Sequence, residues 1–522
     1  MKKILLMMVA LVATVTLYAE GKDEGMEGWI STFSPVTDKA ELAGLHTAVA
    51  GDGSVYASST YNKSFTFAEK AVTDPEGLTS SCIVKFDKDG NEKWAITLVG
   101  TCMVSAMTAD AEGTLYVAGF SEDATVSVTG TDGTVKEIKN PMVDLWGDMV
   151  VASYSAFILK VSKDGVVENV LQVESAGPEG TYYGEAYVKP NKLVLSNGKL
   201  YVSCFYQGDV QKLGWEGRYI TMLDFDTFET GYFGDITSAG IFSVQSADLS
   251  GLTSLASLTA KENADLLDET AIQCAPEAFS FGVKGDVVGV AFIGWGKLTL
   301  TTPTRKKNFE FKMEGEGVNE HALVMSRLDN LDYTKVHHAT PYDNQGFATY
   351  NLFVERIGDN CMLGGTFFGN FPLNNEITKS ENTSFLASIS WSTSAVNWVQ
   401  VNQAKSQATC LVVTGEEVKA ATTDAVYTFE TATGRMLNDD TMELSVSDAC
   451  QFNGQYVSVI YTDEDKVCVF CPKMHTNTGV KSLKNTKSAD AKYFNANGME
   501  LSAPRKGLNI VKTAAGVKKV MK

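Results

Sequence analysis

One feature restricts the fold of this chain more than any other: a strand, a tight turn built on glycine and a second strand recur along most of its length. The unit is plain at Ala106 to Phe120 (AMTADAEGTLYVAGF) and again at Leu193 to Phe205 (LVLSNGKLYVSCF). The same frame surrounds Gly53, Gly285, Gly358, Gly415 and Gly454, which makes seven hairpins of one type. In each, the glycine stands where a short hairpin needs positive φ, often beside Asp or Asn. A second hairpin type alternates with the first. It is clearest at Cys82 to Leu98 (CIVKFDKDGNEKWAITL) and Phe157 to Val173 (FILKVSKDGVVENVLQV), with weaker copies starting at Tyr219, Ala322, Phe385 and Ala425.

Two hairpins per unit make a four-stranded antiparallel sheet, and such sheets repeated around a circle make a β-propeller. Strands such as Leu115 to Phe120 are apolar on both faces, as a sheet packed between two neighbours requires. The expected fold is therefore all-β, a seven-bladed propeller with a small β-rich C-terminal tail. Only six complete hairpins of the second type are present, so one blade lacks two strands. The missing halves lie at opposite ends: Gly28 to Phe33 (GWISTF) aligns Trp29 with Trp94, and Lys466 to Cys471 (KVCVFC) supplies the partner strand. Their pairing closes the ring, removes two open edges and is expected to bury Trp29 and Ile30.

Alternating strand direction puts all the tight glycine turns on one face and all connections between hairpins on the other. The long segments Ser121 to Ser155, Gly234 to Pro276 and Gly294 to Glu320 read as such connections. Within the second, Leu249, Leu252, Leu255 and Leu258 recur at a helical spacing and predict a short helix. Function tends to sit on loops held by a rigid scaffold, so the connection face is the expected binding face.

The best-preserved unit resembles the SBBP family of β-propeller repeats. The matching residues are Asp89, Gly90, Asn91 and Trp94, then Asp110, Gly113, Tyr116, Val117 and Gly119. Tyr427 to Leu437, with Thr433 and Gly434 in its turn, looks like half of a quinoprotein-type repeat. Both resemblances concern structural positions and imply no cofactor.

The ends read differently. Met1 to Ala19, with Lys2 and Lys3 before an apolar run from Ile4 to Thr16, has the pattern of a secretory signal peptide. Residues 20–472 form the expected propeller, 473–492 read as a flexible linker rich in Ser, Thr, Asn and Lys, and 493–522 as a separate tail. That tail resembles the short C-terminal sorting tails of secreted Bacteroidetes proteins related to type IX secretion. The resemblance rests on Tyr493, Phe494, Asn497, Gly498, Pro504, Lys506, Gly507, Ile510, Val511 and the terminal Lys518 to Lys522. It departs from the usual pattern after Gly498, where Met499 and Glu500 stand. The resemblance implies contact with a sorting machinery and an extracellular or outer-membrane-surface location, the periplasm being the other compartment a signal peptide permits.

Of the formal charge of −19, the last fifty residues hold eleven Lys or Arg against two acidic residues. The body is accordingly strongly acidic, which argues against nucleic acid as a partner. No second apolar stretch approaches the length of a membrane span. The nine cysteines mostly sit in apolar runs, as small buried hydrophobes do. Cys468 and Cys471, three apart on a strand, point to opposite faces and suit neither a mutual disulfide nor a shared metal. Five histidines (His46, His321, His337, His338, His475) offer little for metal or acid–base chemistry, so neither a metal nor a cofactor is expected. Asp87 to Glu92 has calcium-loop oxygens but lacks the distant Glu, and reads as a hairpin turn.

No catalytic motif stands out. Trp146, Trp215 and Trp295 lie in or beside the insertions and are candidate ligand-binding aromatics, because exposed rings stack on sugars or anchor partners. The favoured function is a secreted or surface-displayed binding or adhesion module for a glycan or protein. The alternative is an extracellular carbohydrate-active enzyme with carboxylates contributed by different blades, which would leave no local spacing to read.

Overall fold

The computed structural model describes the chain between Gly28 and Met521, apart from short gaps and the longer segments 177–186, 216–237, 261–273, 311–320, 340–347 and 473–491. It divides into two compact units, 1–474 and 475–522. The first is a propeller of seven antiparallel blades, and every described element in it is a strand or turn.

Blade 1 is built from Thr47–Val49, Val55–Tyr61, Ser80–Phe86 and Glu92–Val99, and blade 2 from Cys102–Ala109, Leu115–Ser121, Ser155–Val161 and Val167–Val173. Blade 3 comprises Tyr187–Ser196, Lys199–Gln207, Ser238–Gln245 and Ser250–Ala260. Blade 4 comprises Cys274–Lys284, Val287–Trp295, His321–Arg327 and Thr334–Ala339. Blade 5 uses Ala348–Ile357, Asn360–Asn370, Thr378–Ser390 and Val396–Val401, and blade 6 uses Ala408–Thr414, Glu417–Thr422, Val426–Glu430 and Met436–Asn438. The first strands of successive blades pack against one another in an unbroken circle around the central channel.

Blade 7 takes three strands from the end of the repeat region, Val446–Phe452, Tyr456–Asp463 and Lys466–Pro472, and its fourth, Gly28–Val36, from the beginning. The register runs antiparallel from Gly28 opposite Pro472 to Phe33 opposite Val467. This is the closure that the sequence implies, with one difference in what it buries. Phe33 is 2% exposed, whereas Trp29 is half-buried and Ile30 is 52% exposed. Trp29, Ser31 and Phe33 alternate onto the side that meets blade 1, which leaves Ile30 on the other side.

Blade 3 corrects two expectations. The second-type hairpin placed at Tyr219 falls outside the described residues, and the strands completing the blade are Ser238–Gln245 and Ser250–Ala260. The leucines at helical spacing therefore lie at and within a strand. Register shifts between Ile241 and Phe242 and between Ser243 and Gln245 accompany a leucine spacing that is not two. Leu249 sits in the turn at φ 53°, and Leu258 is buried. The segment from Gly234 to Pro276 thus contains a blade hairpin, and the insertion in blade 3 runs instead from 208 to 237.

Insertions between second and third strands do something regular. The hairpin Ser64–Phe67/Lys70–Thr73 of blade 1 pairs with the outer strand of blade 7 at Ser34 to Val36. The hairpin Thr125–Thr129/Val135–Lys139 of blade 2 pairs with the outer strand of blade 1 at Thr97 to Val99. Lys297–Thr301/Lys306–Glu310 of blade 4 does the same to blade 3 at Ser257 to Ala260. In miniature, Asp209–Val210 of blade 3 pairs with Ser175–Ala176, just beyond the outer strand of blade 2. Each insertion reaches back and caps the exposed edge of the blade before it, one of the ways sheets protect unpaired backbone.

The second unit, described by itself, is a four-stranded sheet in the order Glu500–Leu501, Lys492–Asn495, Leu508–Thr513, Gly516–Met521.

Candidate binding cavity between blades 5 and 6

The face carrying the tight turns is occupied by contacts between blades. Trp29 Nε1 donates to the Lys88 carbonyl (2.9 Å), Trp94 Nε1 to the Lys163 carbonyl (3.0 Å) and Trp398 Nε1 to the Thr431 carbonyl (3.0 Å). In each case the indole belongs to the outer strand of one blade and the carbonyl to the outer turn of the next. A glycine in that turn, Gly90, Gly165 or Gly434, makes room for the ring: a Cβ there would stand 3.0 Å or less from it. Second-strand tyrosines repeat the device nearer the axis. Tyr56 Oη donates to the Gly113 carbonyl (2.7 Å), Tyr116 Oη to Ser246 (3.2 Å) and Tyr201 Oη to the Asp286 carboxylate (3.2 Å). Lys85 joins the blade 1–2 latch, donating to the Lys163 carbonyl at 2.8 Å with its ammonium 5.2 Å from the Tyr56 ring centre. Burial holds its pKa below the usual lysine range. The Asp87 carboxylate, a candidate calcium oxygen, is taken up by its own turn, accepting from the backbone N–H groups of Asp89 and Asn91.

The opposite face carries the connections and, between blades 5 and 6, a cavity of about 210 Å³. Its walls include Val401, Asn402, Ala408, Cys410 and Thr422, at strand ends that lie toward the connection face, and extend through Phe353 and Gly364 to Phe429 and Met436 beside the outer turn of blade 6. Most of the lining is apolar, with Phe353, Leu411 and Phe429 deep in it.

Three same-side residues of the blade 5 outer strand meet blade 6. Trp398 donates to Thr431, Gln400 Nε2 to the Gly434 carbonyl at 2.9 Å, and Asn402 Nδ2 to the Tyr427 hydroxyl oxygen at 3.0 Å. The two repeats share one register: Lys85 opposes Trp94 as Ser388 opposes Trp398, with the same shift beside it. Gln400 and Asn402 therefore stand where blade 1 has the fully buried Ile96 and Leu98. Between blades 1 and 2 that space is a closed cluster, filled in part by Val126, Val128 and Ile138 of the capping hairpin. Only the residues 423–425 separate the second and third strands of blade 6, too few for a capping hairpin of the kind that blades 1, 2 and 4 supply.

The sequence candidates fall elsewhere. Trp215 is 4% exposed, stacked on Tyr206 and set against Phe242 and Gly240, so it is a core residue. Trp295 ends the second strand of blade 4, with its backbone paired to His321. Trp146 lies outside the described residues. Tyr493 pairs with Val511 and Leu501 in the C-terminal sheet, while Asn497, Gly498, Pro504, Lys506 and Gly507 lie outside the described residues. Gln400, Asn402 and Tyr427 escaped the sequence reading. Their signal was an amide at two positions where the matching repeat is apolar.

In the channel, His46 Nδ1 is 3.5 Å from the Asp448 carboxylate, joining blades 1 and 7. Lys192 of blade 3 reaches Glu355 of blade 5 at 2.6 Å and passes 5.7 Å from the Phe281 ring centre of blade 4. Each of these carboxylates faces a basic group, whereas glycan cleavage uses two carboxylates across one bond. Among the described residues no three His, Cys, Asp or Glu side chains gather as a metal would need. No described helix is long and apolar enough to cross a membrane.

No protein-family model and no curated protein matches the chain. Among solved structures it is similar to BamB from Moraxella catarrhalis, at 10% identity over 84% of this chain and 100% of that one, with a TM-score of 0.36. It is also similar to the β-propeller domain of Cps50 (Swd1) from Myceliophteria thermophila (8% identity, 84% and 99% covered, TM-score 0.37). The third, Saccharomyces cerevisiae Sqt1, gives 11% identity, 85% and 100% covered and a TM-score of 0.37. The count of seven blades comes from the strand pairing of this chain itself.

Proposed function

We propose that this chain is an exported, non-enzymatic binding module that presents its connection face to a glycan or protein ligand at the cell surface. One observation carries the reading: the turn face is spent on latches between blades, while the connection face holds the insertions and a preformed cavity. Concave, largely apolar sites with a few placed polar groups are the usual form of a binding site. Gln400, Asn402 and Tyr427 supply such groups here. Trp146 and Trp295, beside insertions that connect second and third strands, extend the proposed surface around the ring.

Export is supported by the pattern of Met1 to Ala19, and surface sorting by the resemblance of residues 493–522 to Bacteroidetes sorting tails. The SBBP-like repeats fit the same setting, since the Trp and Gly they share are the latch residues. N-terminal sequencing of protein recovered from the medium or the outer surface tests export, with Glu20 expected as the first residue. For binding, the full chain without residues 1–19 is screened on a glycan array and against displayed peptides. Ligands are expected to tolerate Lys88→Glu on the turn face and to be lost on substitution at the connection face. The reverse pattern overturns the proposal.

A further inference from the structure

We infer that the C-terminal unit, 475–522, is an electrostatic anchor: the sheet face to which Lys492, Lys512 and Lys519 belong docks on a membrane surface rich in anionic, phosphate-bearing lipid. The anchor goes beyond the binding role of the connection face, and either can hold without the other.

Charge comes first. Residues 475–522 hold ten Lys or Arg against two acidic residues, Asp490 and Glu500, in a chain whose formal charge is −19. Most of these cations therefore have no acidic partner within the unit. Burying an unpaired ammonium is costly, so they face water or an anion from outside. The described strands concentrate the excess: Lys492, Lys512, Lys518 and Lys519 lie in them, with Glu500 as their one acidic residue.

Strand register then sorts them. Lys492 stands directly opposite Lys512, and Lys512 opposite Val517. Two residues along, Glu500, Phe494, Ile510 and Lys519 form one row across the four strands. Partners in register share a face, as do residues two apart on a strand, so Lys492, Lys512 and Lys519 belong to one face. Lys518, opposite Val511, belongs to the other. Like charges directly opposite one another destabilise a sheet. Here two lysines are opposed on the central strands and a third stands diagonal to Lys512, a local conflict of the sort that marks function rather than folding. A phosphate over the opposed pair turns their repulsion into attraction. The same face includes the positions of Phe494, Leu508, Ile510, Val517 and Met521. Apolar positions bordered by lysines suit the boundary between headgroups and acyl chains, and each lysine near an anionic leaflet adds attraction. A soluble polyanion would have no use for the apolar positions, which selects lipid as the occupant.

The test is co-sedimentation of the full chain lacking residues 1–19 with vesicles of phosphatidylcholine, with or without about one-third phosphatidylglycerol. Anionic vesicles should carry the protein down at about 50 mM salt and release it at about 500 mM, where surface electrostatics are screened. Neutral vesicles should not bind it, and a chain ending at Met474, which keeps the acidic body alone, should stay in the supernatant with both. Lys492→Gln, Lys512→Gln and Lys519→Gln combined should weaken binding about a hundredfold, and Lys519→Gln alone about fivefold. Lys518→Gln, on the other face, should cost about twofold or less. Hydrogen exchange over 508–521 checks that the triple variant keeps its sheet. Should it not, Arg at the same three positions, expected to bind like the parent, and the chain ending at Met474 decide. Equal binding to neutral and anionic vesicles overturns the inference, as does binding of the shortened chain at the level of the full one. Equal losses from Lys518→Gln and Lys519→Gln overturn the assignment to this face. If the full chain stays in the supernatant with every vesicle, the anchor fails while binding at the connection face is untouched.

Discussion

Trp398 of blade 5 and Gly434 of blade 6 meet so closely that a Cβ on the glycine would stand 2.5 Å from the indole. Gly434 also has φ +68°, so Gly434→Ala meets both strain and collision. Gly198, at φ +72° with nothing within 4 Å, meets strain alone. We expect Gly198→Ala to cost about 1 kcal/mol and Gly434→Ala about 2 kcal/mol or more, read as the difference in urea midpoints. Trp398→Phe, which loses the bond to Thr431 but keeps most of the ring, should cost about 1 kcal/mol.

Ring closure depends on nine residues at the start of the propeller. Removing 28–36 strips the outer of the two strands paired with Lys466–Pro472 and the anchor from the hairpin at Ser64–Phe67. The truncated chain is expected to aggregate or to lose cooperative unfolding in a thermal scan. A chain ending at Met474 should unfold at the temperature of the full protein, because the boundary between compact units falls there.

Acid should weaken the latch between blades 7 and 1. Partial burial opposes ionisation of Asp87, but hydrogen bonds from the backbone and side chain of Asn91, from the backbone of Asp89 and from Lys93 outweigh it and hold its pKa at about 2, against 3.8 for a free carboxyl. A depressed carboxylate pKa stabilises the fold above the unfolded value and loses that contribution as pH falls through the folded value. Asp87→Asn should therefore destabilise by about 1 kcal/mol at pH 7, and the gap should close between pH 4 and pH 2. A gap that persists at pH 2 would show the carboxylate charge to be unimportant.

Thiol reactivity should be low in the native state. Cys82, Cys204 and Cys410 are pushed up by burial, and Cys471, also by burial, reaches about 12. Thiolates are the reactive form, so a maleimide at pH 7.5 should label few of the nine cysteines within minutes. All nine should react in denaturant. Fast labelling of several in the folded protein would contradict the buried assignment.

How much of this was legible in the sequence follows from where the information sits. The seven glycine turns, and the match of Trp29 to Trp94, are local patterns repeated often enough to be counted, and they give the blade number and the closure. Blade 3 misled because Leu249, Leu252, Leu255 and Leu258 straddle a turn and an irregular strand, so their spacing mimics a helical stripe. The capping hairpins were invisible because short alternating strands such as Thr125–Thr129 show their purpose only beside another blade. Cys468 and Cys471, by contrast, were readable from strand geometry alone, and each belongs to a different apolar cluster. The cavity draws on two blades and leaves no spacing in the chain. Trp215 shows the opposite error, an aromatic beside an insertion that the core had already claimed.

The caps also set an order in time. Because each edge is finished by residues that come later in the chain, a blade leaving the ribosome or a translocation pore stays open until its successor has emerged. The seam is the exception. Gly28–Val36 emerges first and is needed last, yet the Ser64–Phe67 hairpin and the turn that receives Trp29 both belong to blade 1. The earliest strand can thus be held in place by its immediate neighbour while more than three hundred residues are still to come, so that the final blade arrives at a docked partner instead of having to search for a loose end.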